Sequence, residues 1–535
     1  MTTLLEIWSE KKDLPQWAAQ PFTGFCLDSR KVQSGNIFIA LKGVNSDIEK
    51  TPAYMQQALQ QGAIGVLTEI ENVGGNDANG AGIDKINLVG MNGLNLVRAN
   101  CVRLNHNVDE IFYVPELRQI LGTLQQHFLQ AQHAQSLARA VAVTGTNGKT
   151  TVARLIAELL TLLGQPTAVM GTTGNGILPN LTASTHTTLD ALQFQQAYYQ
   201  YTQQGAKFLA LEASSHGIEQ GRLAGTAIEV AVFTNLTRDH LDYHLTLENY
   251  AQAKAGLFDF PKLKHAVINA SADYAELMLA HAKQNPAQPQ ISLYSTEHDT
   301  QVDYHVRDLQ FSLSGAMFRL ETPSGQYTVS SSLLGRFNVD NVLAAMICVE
   351  KLGFSLADIV ARVPQLQGAA GRMQAIGDVG RLFIVDYAHT PDAMEQVLQS
   401  LKHHVTGRLW VVFGCGGDRD RGKRPLMTQA ALTYADHVIL TSDNPRTEPL
   451  AQIFADMQAN IDFSGYQVDE IDDRRIAIKT VVQQAQAGDI VLIAGKGHEN
   501  YQEIDGIRHW FDDVVEVQAA IDSQHCRTDS AYSAL

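Results

Sequence analysis

Cysteine is scarce. The five residues present in 535, Cys26, Cys101, Cys348, Cys415 and Cys526, are odd in number, far apart and never in CxxC spacing. This argues against a disulfide framework or a cysteine zinc site and fits a reducing compartment. The chain also lacks any charge-free apolar run long enough to span a bilayer, so membrane insertion is not expected. At the N-terminus, MTTLLEIWSEKKDLPQW breaks its short apolar stretch with Glu6, Glu10, Lys11, Lys12 and Asp13, which leaves no secretory core. A cytoplasmic protein is the expectation. Positive charge is in deficit too: 40 Lys and Arg face 56 Asp and Glu, a formal net charge of -16. Such a balance speaks against nucleic acid as a partner, and any anionic ligand must find its positive charge in a local cluster.

What is present is ordinary globular material, 45% hydrophobic and 18% charged. The length is too great for one core and implies about three domains. In the first, LDSRKVQSGNIFIALKG alternates Ile37, Ile39 and Leu41 after a turn at Ser34-Gly35, the pattern of a strand in a small α/β unit. The Gly/Asn-rich stretch 72–95 reads as a loop or insertion. A boundary falls near Val114-Pro115, ahead of an amphipathic helix carrying Leu117, Ile120, Leu121, Leu124 and Phe128. A second boundary falls near Gly368. The expected units are therefore 1–114, 115–367 and 368–535.

The second unit opens with the strongest local signal. RAVAVT is a short apolar strand, GTNGK follows, and TTVARLIAELLTLLG places Val152, Leu155, Ile156, Leu159, Leu160 and Leu163 on one helical face before Gly164 and Pro166. Strand, glycine loop and helix make a phosphate cradle. Gly145 and Gly148 permit the tight turn, Lys149 adds a positive charge, and a hydroxyl of Thr150 or Thr151 can reach Mg²⁺. The match to the general P-loop is partial, since Val143 stands where that pattern has glycine. The bland alternative, a glycine turn between strand and helix, leaves Lys-Thr-Thr at the helix start without a packing reason.

Further strands end in polar groups: FLALE at Glu212, EVAVFTN before LTRDHLDYH, and AVINA at Asn269. Long connections between them favour a parallel sheet over hairpins, and in such sheets ligands bind beyond the carboxyl ends of the strands. Lys254, by itself, reads as a surface helix lysine. The third unit repeats the rhythm in RLFIVDYAHTP, RLWVVFGCGGDRDRGKRP, HVILTSDNPRTEP and DIVLIAGKGHENY, four apolar strands running into charged loops. One such loop would be a solvated surface with weak ion pairs, but four delivered to one sheet edge suit a zwitterionic or phosphorylated ligand.

Taken in order, TGTNGKTT, LEASSHG, TNLTRDHLDYH, GRFNVDN, DYAHTP, GCGGDRDRGKRP, SDNPRTEP and AGKGHENYQ resemble the Mur ligase family, from about Leu27 to about Phe511. The resemblance implies a three-domain α/β fold, with a small N-terminal α/β domain, a central P-loop-type parallel-sheet ATPase domain and a C-terminal Rossmann-like domain. It also implies a monomeric ATP- and Mg²⁺-dependent amide ligase. Such an enzyme makes an acyl phosphate from a carboxylate and then admits an amine.

By the same resemblance Gly145, Thr146, Asn147, Gly148, Lys149, Thr150 and Thr151 hold the phosphates. Thr150 and Glu212 serve one Mg²⁺; Glu212, His240 and Lys254 serve a second. An ammonium beside Mg²⁺ would be repelled, and family members carry that lysine as a carbamate, which is the expectation for Lys254. Asn338, Asn341, Arg372, Asp386 and His389 match the nucleoside positions. Leu27, Ser29 and the loop Gly43, Val44, Asn45, Ser46 match a UDP-muramoyl dipeptide site, completed by Thr187, Thr188, Ser214, Gln220 and Arg222. The sequence Asp443-Asn444-Pro445-Arg446 resembles the members that add meso-diaminopimelate, with Arg419, Gly495 and Glu499 beside it. A guanidinium can take the distal carboxylate of that amino acid through two bonds, and carboxylates can take its distal ammonium. His186 and Gln374 depart from the family pattern, as does the 72–95 insertion. A folate polyglutamate synthase would share the phosphate loop without reason to contain DSRKVQSGNIFIALKG or DNPR. A P-loop GTPase or kinase would leave Glu212, His240 and Lys254 unexplained.

Overall fold

The computed structural model describes residues 2–42, 50–70, 110–184, 186–297, 301–312 and 314–532. The loop Gly43 to Ser46 and the 72–95 stretch lie outside the described residues.

Three sheets follow one another along the chain. The first has four parallel strands in chain order, Gly24–Cys26, Asn36–Ala40, Gly65–Thr68 and Ile111–Tyr113. Ile37 and Ile39 point to one face with Leu67 and Phe112, whereas Phe38 and Ala40 meet Met55 and Ala58 of the helix Thr51–Gln60 on the other. The period-2 alternation thus feeds two faces that are both covered. The helix Leu117–Gln132 lays Leu117, Leu121, Leu124 and Phe128 on the first of these faces and also meets Leu192 and Tyr199 of the helix Ala191–Gln203. It joins the first sheet to the second.

The second sheet has ten strands. Its middle is parallel, with Arg139–Thr144 flanked by Phe208–Glu212 and Ile228–Phe233, then Thr167–Gly171 on one side and His265–Asn269 and Gln290–Ser295 on the other. The expected parallel sheet forms this middle, and antiparallel strands are added at its edges. Gly174–Ile177 folds back antiparallel on Thr167–Gly171, and Tyr304–Ser312, Gly315–Thr322 and Gly325–Ser331 form an antiparallel meander. The physical reason is short turns such as Thr322 to Gly325, which allow only neighbouring antiparallel pairing. The helices Lys149–Leu162 and Arg336–Lys351 pack over one face, and the residues expected on the first helix's apolar stripe are buried from Val152 to Leu160.

The third sheet has six strands, with Arg381–Asp386, Ile490–Ala494, Leu409–Phe413, His437–Thr441 and Val468–Ile471 parallel and Gln374–Asp378 antiparallel at one edge. Four of these strands therefore release their loops at one edge. Among the described residues no helix is long and apolar enough to cross a membrane.

Candidate functional site

The phosphate loop begins where Arg139–Thr144 ends. Gly145 and Gly148 both have positive φ, at 148° and 85°, and neither has room for a side chain. A Cβ on Gly145 would strike the Thr234 hydroxyl, and one on Gly148 would lie 2.6 Å from Asn341 Oδ1. The amides of Thr146 and Asn147 are held by Asn235, through its carbonyl at 2.8 Å and its side-chain oxygen at 2.9 Å. Thr234 accepts no part of this but donates its hydroxyl to the Asn147 carbonyl at 2.6 Å. Thr146 and Asn147 thus shape the loop, while anion binding falls to the first turn of Lys149–Leu162, which starts without a side-chain cap. Thr151 is buried in that turn. Lys149 folds back on the loop, donating to the carbonyls of Gly145 and Thr146 at 2.8 Å each, and burial lowers its pKa.

Glu212 sits at the end of its strand, buried, where its carboxylate accepts the Thr150 hydroxyl at 2.8 Å, the Thr172 amide at 2.7 Å and the Thr172 hydroxyl at 3.2 Å. Gly171 leaves the space this carboxylate fills. Thr172 also donates to the Thr187 hydroxyl at 3.1 Å, and Thr188 ties the Glu212 carbonyl to Ser214 at 2.9 and 3.0 Å.

Lys254 is not a surface lysine. It is 1% exposed, donates to the Gly145 carbonyl at 2.7 Å and lies 4.2 Å from the centre of the Tyr250 ring. Burial first, and Lys149 second, push its pKa well below the usual lysine value. His240 caps the short turn Leu241–His244 with φ 52°, and its ring is 5.1 Å from that of His216 and 6.1 Å from that of Tyr250. Thr150 and Glu212 are brought into direct contact, and His240 and Lys254 both stand against Tyr250. Among the described residues no three His, Cys, Asp or Glu side chains gather as a metal site. The bare amine at 254 is a donor, spent on the Gly145 carbonyl. The oxygen-rich set of Thr150 and Glu212 nevertheless has the chemistry of a hard cation site.

At the junction with the third sheet, Asn338 donates to the Leu334 carbonyl at 2.7 Å and accepts from Asn341 at 2.9 Å. Arg372 lies over the Tyr387 ring at 4.7 Å, and its buried Nε has no partner. Asp386 accepts the amides of Met373 and Ala388 at 2.7 and 2.8 Å; burial raises its pKa against the pull of Arg372. His389 bonds the Tyr387 carbonyl at 2.8 Å.

Of the muramoyl set, Leu27 packs on the first core and Ser29 donates to Gln57 at 2.8 Å. The remainder lies on the second sheet. Among the described residues Arg222 donates to neutral acceptors, the Thr188 carbonyl at 2.8 Å and Gln220 at 2.7 Å, and Gln220 in turn reaches the Tyr243 hydroxyl at 3.1 Å. Burial lowers the Arg222 pKa against the pull of Asp190.

In the third unit, Pro445 leads into Arg446 in the left-handed region, at φ 54°. A neighbouring hairpin holds that conformation: the Arg446 amide donates to the Glu503 carbonyl at 2.9 Å and the Asp505 amide to the Arg446 carbonyl at 2.7 Å. The guanidinium donates to the Gly417 carbonyl at 2.7 Å. Arg419 flanks the same glycine pair, 3.7 Å from a Cβ placed on Gly416, where Arg446 is 3.0 Å away. Lys496, fully buried, binds Asn444 at 3.0 Å and Glu499 at 3.3 Å and lies 3.9 Å from Asp443. Gly495 has φ 112°, and a Cβ there would be 2.5 Å from Asp443.

Residues 143–349 match the Mur ligase middle domain, and 371–497 match the Mur ligase glutamate ligase domain. A UDP-N-acetylmuramoyl-L-alanyl-D-glutamate--2,6-diaminopimelate ligase of Ectopseudomonas mendocina (strain ymp) is 41% identical over 496 residues, 92% of this chain and 94% of the relative. The chain belongs to the Mur ligase family. A ligase of the same name from Haemophilus ducreyi is 40% identical to this Mur ligase over 510 residues, covering 94% and 96% of the two chains. A solved structure bearing that name is 56% identical, covers 98% of this chain and 99% of its own, and superposes with a TM-score of 0.73. Motif reading of this Mur ligase missed Thr172, Thr234 and Asn235, and named Lys496 only as one of the charges in its loop. Each depends on a partner 3 to 88 positions away, so only the TN of TNLTRDHLDYH and the GKG of AGKGHENY hinted at them.

Proposed function

We propose that this Mur ligase is a cytoplasmic, monomeric enzyme that joins meso-diaminopimelate to UDP-N-acetylmuramoyl-L-alanyl-D-glutamate, cleaving ATP to ADP and phosphate. The observation that carries the reading is Arg446. It is a guanidinium on a left-handed backbone whose side chain, among the described residues, donates to the neutral Gly417 carbonyl, while Asp443 and Glu499 of the same unit lie 3.9 and 3.3 Å from the buried Lys496. That arrangement offers a cation for a distal carboxylate and anions for a distal ammonium.

The loop 145–151 receives the triphosphate, and Lys149 leaves its two carbonyls to meet the phosphoryl oxygens. Arg222, with Thr187, Thr188, Ser214 and Gln220, orients the muramoyl peptide so that its free carboxylate attacks the terminal phosphorus. The P–O bond to ADP breaks and an acyl phosphate forms. The diaminopimelate amine adds to the acyl carbon, its proton leaves, and collapse of the tetrahedral centre expels phosphate and leaves the amide. Mg²⁺, when bound by Thr150 and Glu212 and by His240 and a carbamate on Lys254, supplies positive charge against the transferring phosphoryl group. Asn338, Asn341, Arg372, Asp386 and His389 come from two units, so ATP binding is coupled to closure of the third unit.

The test is the stoichiometry of ADP, phosphate and tripeptide product, measured with each substrate omitted in turn. The reading requires all three substrates for product. Steady ATP hydrolysis that is indifferent to the amine and the muramoyl peptide would overturn it.

A further inference from the structure

The helix Arg336–Lys351, which carries Asn338 and Asn341, has no cap from its own sequence; its N-cap is Gly335, with φ 91°. Helix starts leave unpaired amides, which are usually met by a local Ser, Thr, Asp or Asn. Here the partners come from the third unit. The Arg336 amide donates to the Ser400 hydroxyl at 2.7 Å, and the Gly335 amide donates to His404 Nε2 at 3.0 Å. The other ring nitrogen of His404 bonds the Ser312 carbonyl at 2.7 Å, so the imidazole is neutral with the proton on Nδ1. Burial lowers the His404 pKa and keeps that acceptor available. A Cβ on Gly335 would lie 2.8 Å from Ser400, which explains the glycine, and Leu334 is inserted in the third unit's core.

We infer that Ser400 and His404 are positioning residues for the nucleotide site: by capping a helix of another unit they fix the register of Asn341 against Gly148. The link is short. Asn341 lies less than two turns from the cap, and its side chain occupies the space a Cβ on Gly148 would need. Movement of the third unit is thereby transmitted to the phosphate loop through one helix end. The inference rests on the reading that residues 145–151 bind the triphosphate.

The experiment compares Ser400→Ala, His404→Ala and His404→Gln in the full chain. Gln can accept from Gly335 and donate to Ser312, as the imidazole does. Hydrogen exchange at the amides of 335 and 336 reports the cap without reference to activity. The expected result is faster exchange and a 5- to 20-fold rise in the KM for ATP in both alanine variants. The KM for the muramoyl peptide and kcat should change less than twofold, and His404→Gln should regain both ATP affinity and protection. Ser400→Ala removes one oxygen and serves alone if His404→Ala does not fold. Loss of protection with an unchanged ATP KM would overturn the coupling. Equal loss of affinity for all substrates would reduce the pair to a structural role. Neither outcome would be confused with a protein that makes no amide at all, which would sink the function instead.

Discussion

Lys149 and Lys254 donate to the same oxygen, the carbonyl of Gly145, at 2.8 and 2.7 Å. Two ammonium groups sharing one acceptor in a buried place repel, and burial together with Lys149 holds the Lys254 pKa well below the usual lysine value. A neutral amine is the form that adds CO₂. We propose that its carbamate is the working form.

Lys254→Met should therefore abolish ligation, with kcat/KM down by about 10³ or more, without lowering thermal stability. An apolar side chain of similar length removes a buried amine that, among the described residues, has no carboxylate partner within ion-pair distance. The pH dependence has a definite sign. The folded-state pKa lies below the unfolded one, so the unfolded chain binds more protons, and stability of the unmodified protein rises with pH through the window from the lowered pKa up to about 10.5. Calorimetry of both proteins across that window should show a flatter curve for Lys254→Met.

Glu212→Gln keeps shape but halves the acceptor capacity that now serves Thr150 and Thr172. The expected outcome is a fall in kcat of about 10² to 10³ and a shift of the Mg²⁺ titration to higher concentration, with little change in the KM for the amino acid. Steady-state kinetics at several Mg²⁺ concentrations check it.

Asp513 and Arg474 form a fully buried pair, bonded side-on from Nε and Nη2 at 2.7 Å each, and Arg474 also donates to the Ala494 carbonyl at 2.9 Å. The pair thus clamps the strand end that precedes Gly495. Removing one partner leaves an uncompensated buried charge, so Asp513→Ala should cost about 3 to 5 kcal/mol. Denaturant unfolding of the third unit measures the loss, and the KM for diaminopimelate should rise with it.

Period and punctuation made much of this molecule legible. RAVAVT forms the strand Arg139–Thr144, and the four apolar runs of the third unit form the four strands that open at one edge. The antiparallel meander at 304–331 is not legible from motifs, because its strands end in no charged or glycine-rich functional loop. In the site, Lys254 shows the limit most clearly. Its helix is weakly amphipathic, and nothing local distinguishes a buried lysine from an exposed one until Gly145, 109 residues earlier in the chain, supplies the acceptor. Arg446 was legible as a charge in a motif, but not as a left-handed residue pinned by the 501–504 strand, because that conformation is imposed by distant backbone bonds.

The central claim is that the guanidinium at 446 chooses the incoming amine by its far end. Product formation with meso-diaminopimelate and with L-lysine, measured side by side for the natural protein and Arg446→Ala at saturating ATP and muramoyl peptide, tests it most directly. The natural protein should favour diaminopimelate by a factor equivalent to about 2 to 5 kcal/mol, and the variant should lose that preference while its KM for ATP holds. Equal use of both amino acids by the natural protein, or an undiminished preference in the variant, would contradict the account.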